Sequence, residues 1–121
     1  MLISFIEPDF TFTDDRGSLI QLVGTGYSQV NYISSKANVV RGGHYHKFNE
    51  EAFFVISGEF RLFVHDLEFK LKEEFLIKQG TFFVIPREVM HSFHFLEDTT
   101  LISMYSQGVV LEDGSKDIFC I

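Results

Sequence analysis

The sequence has little cysteine, little positive charge and no long apolar run, and each shortage excludes a class of protein. A single cysteine, Cys120, can form neither an internal disulfide nor a thiolate metal site. The 10 Lys and Arg residues face 17 Asp and Glu residues, and the net charge of -7 argues against a nucleic-acid-binding protein. No apolar run approaches the roughly 20 residues that span a bilayer, and the start "MLISFIEPDF" lacks the basic leader of a signal peptide. We therefore expect a soluble cytoplasmic protein without membrane or nucleic-acid partners.

The remaining composition favours one packed domain over residues 1–121. Hydrophobic residues make up 45% of the chain, and 15 of the 121 residues are phenylalanine. Apolar runs of about four to eight residues recur between Gly, Asp, Asn and Ser, which is typical of a β-sandwich or β-barrel. "AFFVI" and "EFRLFV" meet at Ser57 and Gly58, a hairpin signal, and Pro86 ends the run "TFFVI". The pattern predicts an all-β fold of nine or ten short strands.

Histidines and carboxylates cluster in the stretch "RGGHYHKFNEEAFFVISGE". Side chains two residues apart in a strand lie on the same face, so His44 and His46 are expected to point together to one side. Glu50 and Glu51 have opposite parity in the strand that follows. One of them must face the histidine pair, and the spacing does not say which. His91, far along the chain in "GTFFVIPREVMHSFHF", is a further candidate for the same site.

Two spaced motifs resemble those of the cupin superfamily. The first is the histidine pair, four residues, Glu51, six residues and Gly58; the second is Gly80, five residues, Pro86 and then His91. The resemblance implies a cupin double-stranded β-helix, a jelly-roll barrel that forms a single domain over the chain. It also implies four metal ligands: His44, His46, Glu51 and His91. Three positions depart from the motifs, which usually have Gly, Gly and Asn where this chain has Asn38, Glu88 and Phe95.

Three imidazoles and one carboxylate suit a divalent metal such as Zn, Mn, Fe or Ni, and they leave positions open for water or substrate. The alternative is a barrel in which these polar residues line a cavity or act in catalysis without a metal. No organic cofactor is expected. His94 and His65 are expected on the surface, because His94 differs in parity from His91 and His65 lies beside a predicted turn at Asp66.

Two further stretches narrow the resemblance to the sugar-nucleotide cupins, which include 4-keto-6-deoxy sugar epimerases and 3,4-ketoisomerases. "FTDDRGSLIQL" resembles the DxRG segment of that group, and "VVRGGHYHK" resembles its RG-x-H-x-H ending. The tail "IPREVMHSFHFLEDTTLISMYS" is most similar to the cupin domain that is fused to a reductase in capsular polysaccharide synthesis. By this resemblance Arg16 and Arg41 contact the substrate, and Tyr32 is a catalytic tyrosine.

The resemblance implies a sugar-nucleotide epimerase or 3,4-ketoisomerase that acts on a UDP- or dTDP-linked 4-keto-6-deoxy hexose in surface-polysaccharide biosynthesis. Such an enzyme removes a proton next to the keto group, so it needs a base with a pKa near neutrality and a proton donor. In a metal-free site, His44 or His46 is the natural base and Tyr32 the donor. A metal bound by His44 would occupy the same nitrogen. Two alternatives stay open, a metal-dependent small-molecule oxygenase and a non-catalytic sugar-binding cupin.

Protein partners are expected besides the nucleotide-sugar substrate. The apolar run "LISFI" near the N-terminus can add a strand to a second copy, which favours a homodimer. No reductase domain precedes the cupin motifs, so the chain is expected to work alone or beside a separate reductase partner.

Overall fold

The stretch from Glu51 to Ser57 illustrates why this chain forms strands, since its aromatic and β-branched residues fit a pleated surface. In the computed structural model, residues 1–120 are described, and they form eleven β-strands and no helix. The strands are β1 (Ser4–Phe5), β2 (Phe10–Asp14), β3 (Gly17–Gln21), β4 (Gln29–Ser35), β5 (Val40–His44), β6 (Glu51–Ser57), β7 (Glu59–Asp66), β8 (Lys72–Lys78), β9 (Phe82–Ile85), β10 (Val89–Phe95) and β11 (Thr99–Tyr105). The all-β prediction is confirmed, with eleven strands in place of nine or ten. Over the same residues the chain offers no helix long and apolar enough to cross a membrane.

Two antiparallel sheets form the body of the fold. One has five strands in the order β1-β9-β6-β11-β4, and the other has four in the order β5-β10-β7-β8. The β2–β3 hairpin forms a separate two-stranded sheet. The hairpin predicted at Gly58 does not form, because β6 and β7 are in different sheets and do not pair; the turn at Gly58 instead carries the chain from the first sheet to the second. Gly58 has a φ of +100°, and a Cβ there would lie 2.3 Å from Thr99 Oγ1, so the sharp passage between the sheets requires glycine.

Phenylalanine side chains join the two sheets. The ring of Phe53 in β6 stacks on Phe83 in β9 with centroids 5.1 Å apart, and it meets the ring of Phe93 in β10 edge-on at 5.1 Å. Phe60 in β7 lies 5.2 Å from Phe93. All four side chains are buried. Because burying one such side chain stabilises a fold by about 1.5–3 kcal/mol, this cluster is a main source of cohesion between the sheets.

The N-terminal residues pack within their own chain. Ser4 and Phe5 pair with Val84 and Phe83 of β9, and Ile3 is only 2% exposed. In this chain β1 is therefore the edge strand of its own sheet, and pairing of "LISFI" with a second copy stays a prediction. Large apolar side chains stay exposed on the β2–β3 hairpin and on β4: Phe10, Phe12, Leu19, Ile20, Val30 and Tyr32.

At two of the three positions that depart from the cupin motifs, the backbone has the positive φ that glycine commonly adopts. Asn38 and Glu88 stand where the motifs usually have glycine, and both have positive φ, 69° and 62°. This left-handed region is uncommon for residues other than glycine, although Asn tolerates it. At Glu88 the conformation brings its main-chain N–H to the main-chain oxygen of His46 at 2.7 Å. The second motif is thereby tied directly to the first.

Candidate functional site

A cavity of about 370 Å³ lies between the inward faces of the two sheets. Strands β4, β6 and β11 supply one wall, and β5 and β10 supply the other. Part of the lining is polar: Asn31, Arg41, His44, Glu51, His91, Ser103 and Tyr105. The rest of the lining is mostly apolar: Ile33, Phe53, Phe93, Phe95 and Leu101. A volume of this size falls in the range of roughly 300–1,000 Å³ that small-molecule sites occupy.

An irregularity in β5 turns two of the lining residues into the cavity. In β10 the neighbours His91 and Ser92 pair with His44 and Gly42, so Gly43 between them has no partner and forms a bulge. A regular strand would place Arg41 and His44, three residues apart, on opposite faces. With the bulge, both line the same cavity. The pairing also puts His44 directly opposite His91, with ring centroids 4.8 Å apart.

The three histidines of the motifs converge. The ring of His46 lies 5.2 Å from that of His44 and 5.3 Å from that of His91, and one ring nitrogen from each residue lies within 4.8 Å of the others. Glu51 completes the group, because its Oε1 is 3.0 Å from His46 Nε2 and 3.8 Å from His91 Nε2. Glu50 instead accepts a hydrogen bond from the hydroxyl of Tyr27 at 3.2 Å, outside the cavity. The choice between the two glutamates, open in the sequence, falls on Glu51.

Main-chain carbonyls fix how two of the imidazoles are turned. Nδ1 of His46 donates to the carbonyl oxygen of Asp117 at 2.6 Å, and Nδ1 of His91 donates to that of Val89 at 3.0 Å. A carbonyl oxygen can only accept, so the proton of each neutral ring is on Nδ1. The Nε2 atoms of both rings therefore point toward Glu51 and the cavity.

Burial sets the protonation of the cluster. Burial and the neighbouring His46 lower the pKa of His44, and burial lowers the pKa of His91 to about 3, so these two rings are neutral at neutral pH. Burial raises the pKa of Glu51. Burial opposes charge on His46, but its hydrogen bonds to Glu51 and Asp117 outweigh this and raise its pKa. His46 and Glu51 thus hold a proton between them more tightly than either would alone.

Three further side chains belong to the site, and the sequence analysis missed them. Tyr105 and Ser103, two residues apart on β11, line the same cavity as Glu51, and their hydroxyl groups act to lower the pKa of its carboxyl group. Burial and the nearby Glu51 carboxylate raise the pKa of Tyr105, so its phenol stays protonated. Asn31 on β4 extends the network, with Nδ2 donating to Ser103 Oγ at 3.2 Å. The alternation in "TLISMYS" was the one available signal, because it puts Leu101, Ser103 and Tyr105 on one face.

The chemistry of this donor set is compatible with a divalent metal. Unprotonated nitrogens of neutral imidazoles and a carboxylate oxygen face one another, and such ligands suit Zn, Mn, Fe or Ni. His46 and His91 each donate their other ring N–H to a carbonyl, which is how metal-binding histidines are usually oriented in proteins. The residues present therefore fit a metal ion as well as they fit a shared proton.

A comparison with protein families identifies the kind of domain. A family model described as the polysaccharide biosynthesis C-terminal domain matches residues 12–118. The chain belongs to this family. The match contains every residue of the cavity lining, from Asn31 to Tyr105. No curated protein sequence matches this polysaccharide biosynthesis domain.

Solved structures share its fold. A 3,4-ketoisomerase from Helicobacter canadensis superposes with a TM-score of 0.79 at 20% identity, over 98% of this chain and 90% of that one. A dTDP-4-dehydrorhamnose 3,5-epimerase from Sulfolobus tokodaii gives 0.75 at 21%, over 100% of this chain and 82% of that one. The capsular polysaccharide assembling protein CapF from Staphylococcus aureus gives 0.70 at 21%, over 93% of this chain. The domain spans only 34% of CapF. These likenesses confirm the cupin jelly-roll fold.

Not every predicted site residue of the polysaccharide biosynthesis domain reaches the cavity. Arg41 does, at the rim, where Nη2 donates to the main-chain oxygen of Ser34 at 3.3 Å. Arg16 lies in the turn of the β2–β3 hairpin, where its exposed guanidinium pairs with Asp14 at 2.6 Å. Arg16 is thus outside the cavity of its own chain, because the hairpin joins neither of the two main sheets.

The prediction that Tyr32 acts in the cavity is wrong for this chain. Tyr32 is 69% exposed on the outer face of β4, while its neighbours Asn31 and Ile33 line the cavity. The two histidines expected on the surface lie outside the site. His65 stacks on Phe69 with centroids 4.3 Å apart, and His94 packs on Phe63 at 4.4 Å.

Proposed function

We propose that this polysaccharide biosynthesis domain is a sugar-nucleotide epimerase or 3,4-ketoisomerase that acts on a UDP- or dTDP-linked 4-keto-6-deoxy hexose. The observation that supports this proposal is that one part of the cavity lining is polar and the other part is apolar. Histidine, carboxylate and phenol groups suit the keto and hydroxyl groups of a sugar. Phe53, Phe93 and Leu101 suit the methyl group of a 6-deoxy sugar, which has no polar partner to offer.

The relatives support this reaction class. The Helicobacter canadensis protein is a 3,4-ketoisomerase, and the Sulfolobus tokodaii protein is an epimerase named for a dTDP-linked 4-dehydro sugar. The family description and CapF, a capsular polysaccharide assembling protein, add surface-polysaccharide biosynthesis as the setting. The identities to these three proteins are 20–21%, and proton exchange tests the substrate and the reaction directly.

The cavity contains the groups that such a reaction needs. The keto group at C4 acidifies the neighbouring C–H, because the resulting carbanion is delocalised as an enolate. His44 lines the cavity, and its neutral imidazole can accept that proton. The protonated phenol of Tyr105 can donate to the oxygen on which charge develops. Return of the proton to the opposite face of the carbon gives epimerisation. Delivery of a proton to C4, with the C4 oxygen protonated and the C3 hydroxyl deprotonated, gives the 3-keto sugar of ketoisomerisation.

His44, His46, Glu51 and His91 are also proposed to hold a divalent metal. The metal would supply a Lewis acid for the keto oxygen of the sugar. A nitrogen of His44 that binds the metal cannot remove a proton, so the metal content of the protein decides which role His44 has. His46 is 3% exposed and hydrogen-bonded at both nitrogens, so we assign it to holding Glu51 or the metal rather than to proton transfer.

Arg41 is proposed to contact the phosphates of the nucleotide. Its guanidinium lies at the rim of the cavity and is exposed, so it can reach a ligand that extends from the site into solvent. Guanidinium groups bind phosphate oxygens in pairs, which makes arginine better suited than lysine to this role. An Arg41→Lys variant is therefore expected to raise KM for the nucleotide sugar while leaving kcat nearly unchanged.

Proton exchange tests the proposed reaction. The protein is incubated in deuterium oxide with dTDP- and UDP-linked 4-keto-6-deoxy hexoses, and deuterium at C3 and C5 is followed by NMR and mass spectrometry. Exchange with one of these sugars supports the proposal, and the product separates an inverted centre from a 3-keto sugar. His44→Asn should slow exchange at least a hundredfold, while His65→Asn, which changes a histidine outside the cavity, should not. No exchange with any of the sugars, or dioxygen uptake in its place, would overturn the proposal.

A homodimer is proposed on the exposed apolar side chains rather than on "LISFI". Within the described residues β4 pairs on one side only, with β11, and its outer face exposes Val30 and Tyr32. The β2–β3 hairpin exposes Phe12 and Leu19, which lie opposite each other in the pairing. Surfaces of this kind are usually covered by another chain. Light scattering should give twice the mass of 14.0 kDa, and Val30→Lys with Phe12→Lys should reduce it to one chain.

A further inference from the structure

We propose that Asp117 is a positioning residue for the histidine site. Its carboxylate accepts hydrogen bonds from the main-chain amides of the turn that follows His46. Its main-chain oxygen accepts a hydrogen bond from the His46 ring and so orients Nε2 toward Glu51. Asp117 lies 71 positions from His46 in the sequence, in the irregular segment after β11. The inference rests on the proposed function of the site, in which the direction of that Nε2 atom matters.

The carboxylate of Asp117 accepts hydrogen bonds from three consecutive main-chain amides. Those of residues 47–49 reach its two oxygens at 2.8, 2.9 and 3.0 Å. These residues form the turn between His46 and Glu51, the two members of the cluster in closest contact. Asp117 therefore sets the path along which the chain leaves one and reaches the other.

The main chain of Asp117 acts on the imidazole itself. Its carbonyl oxygen lies 2.6 Å from Nδ1 of His46, and it can only accept, so it selects the form of the ring with the proton on Nδ1. The opposite nitrogen, Nε2, then faces Glu51 Oε1 at 3.0 Å and shares a proton with it. The side chain of Asp117 places the turn, and its main chain then determines which ring nitrogen faces the site.

A second buried polar side chain holds Asp117 in place. Nδ2 of Asn49 donates to Asp117 Oδ2 at 2.9 Å and to the oxygen of Gly108 at 2.8 Å. Oδ1 of Asn49 accepts from the amides of Gln107 and Gly108. The amide of Asp117 itself donates to Val109 O at 2.8 Å. Every polar atom in this arrangement has a partner, which makes it rigid.

The segment on the far side of Asp117 is fastened to the histidine stretch as well. Tyr45 and Phe119 exchange two main-chain hydrogen bonds at 2.9 and 3.1 Å, and their rings stack with centroids 5.6 Å apart. The ammonium group of Lys47 lies 4.4 Å from the ring centroid of Phe119. The segment around Asp117 and Phe119 thus packs against residues 45–49, which contain His46.

The buried charge of Asp117 separates this role from that of a simple turn residue. The side chain is 0% exposed, and the partners recorded for its oxygens are N–H groups of residues 47–49 rather than Lys or Arg. A charged acceptor holds amides more firmly than a neutral one, which suits the exact placement of a ring.

NMR of protein labelled with ¹⁵N at histidine tests the inference without reference to activity. In the metal-free protein, His46 is expected to be protonated at Nδ1, and Asp117→Asn should give a mixture of both ring forms. Asp113→Asn is the matched control, because Asp113 is an exposed aspartate of the same segment whose side chain accepts hydrogen bonds from Ser115. An unprotonated Nδ1 on His46 in the unchanged protein would overturn the proposal even if the Asp117 variant does not fold.

Metal affinity provides the second readout. Zn²⁺ binding is measured by competition with a chromogenic chelator, and Asp117→Asn should weaken it about 10–100-fold, as loss of an orienting partner usually does. Asp113→Asn should stay within about twofold of the unchanged protein, since its side chain does not contact the site. If the unchanged protein binds no Zn²⁺, the metal part of the proposed function fails, and the ring form of His46 still decides the role of Asp117. A folded Asp117→Asn protein with the ring form of His46 unchanged would refute that role.

Discussion

The two adjacent glycines before His44 are predicted to respond very differently to the same substitution. Gly42 and Gly43 both have positive φ, +103° and +75°, so alanine is strained at either position. A Cβ on Gly42 would lie 2.7 Å from the main-chain oxygen of His91 and 3.1 Å from Cα of Ser92. A Cβ on Gly43 would meet only Ser92 Oγ, at 3.9 Å, which is ordinary contact. A difference in stability between the two alanine variants therefore measures the cost of the close contact between β5 and β10 at Gly42.

The size of the effect follows from these distances. A left-handed backbone costs a non-glycine residue about 1–2 kcal/mol, and both variants incur this cost. At Gly42 the main chain of β10 must also move by several tenths of an ångström, and overpacking of this kind costs a further ~1–3 kcal/mol. Gly42→Ala is thus expected to lower the free energy of unfolding by about 2–5 kcal/mol and Gly43→Ala by about 1–2 kcal/mol.

The same movement reaches the site, because His44 and His91 face each other across the strands that Gly42 holds together. Misplacement by about 1 Å can reduce activity a hundredfold, so Gly42→Ala should also weaken Zn²⁺ binding and proton exchange by tenfold or more. Urea unfolding, chelator competition and deuterium exchange are measured on both variants. Equal stability and equal metal affinity of the two proteins would show that the close approach of Gly42 to His91 has no such role.

Three further predictions test the assignment of carboxylates, a phenol and the core. Glu51→Gln should lower Zn²⁺ affinity at least tenfold and Glu50→Gln less than twofold, as measured by chelator competition; the reverse order would contradict the choice of Glu51. Burial and Glu50 raise the pKa of Tyr27 to about 12, so stability from its neutral phenol should be complete below pH ~10 and lost as the pH rises toward 12. An ultraviolet titration of Tyr27→Phe should lack one late-titrating phenol. Phe53→Ala should reduce the free energy of unfolding in urea by about 3–5 kcal/mol, since the ring is buried against Phe83; a loss below ~1 kcal/mol would contradict that packing.

The sequence predicts those parts of the fold in which hydrophobic alternation and burial agree. On β10, Phe93 and Phe95 share the parity of His91 and are buried with it, while His94 points outward, as expected. On β6, Glu51 shares its face with Phe53 and Val55. Glu51 is a carboxylate on an apolar face, and only the histidines opposite make that placement favourable. Parity therefore leaves Glu50 and Glu51 as alternatives until the partners are known.

The same reasoning fails on β4 because the cavity reverses the usual pattern. The outer face of that strand carries Val30 and Tyr32, and the inner face carries Asn31 and Ser35. A polar cavity needs polar residues inside, and an uncovered outer face leaves apolar residues exposed. Hydrophobicity then indicates the wrong face of β4. Tyr32 is assigned to the site by resemblance alone, and its side chain lies on that outer face. Tyr105, whose pKa is coupled to that of Glu51, lies on β11, where Leu101 and Ser103 on the same face are also buried.

The bulge at Gly43 lets Arg41 and His44 face the same cavity although they are three positions apart in the sequence. Arg41 and His44 differ by an odd number of positions, so an unbroken strand would turn one of them away from the cavity. One unpaired residue restores both to the same side, and the neighbouring strand approaches so closely that Gly42 has no room for a side chain. The two glycines of "RGGH" therefore allow the side chains of Arg41 and His44 to point into the same cavity. Deleting Gly43 would put Arg41 and His44 two positions apart, so a regular strand without the bulge should still turn both side chains to the cavity.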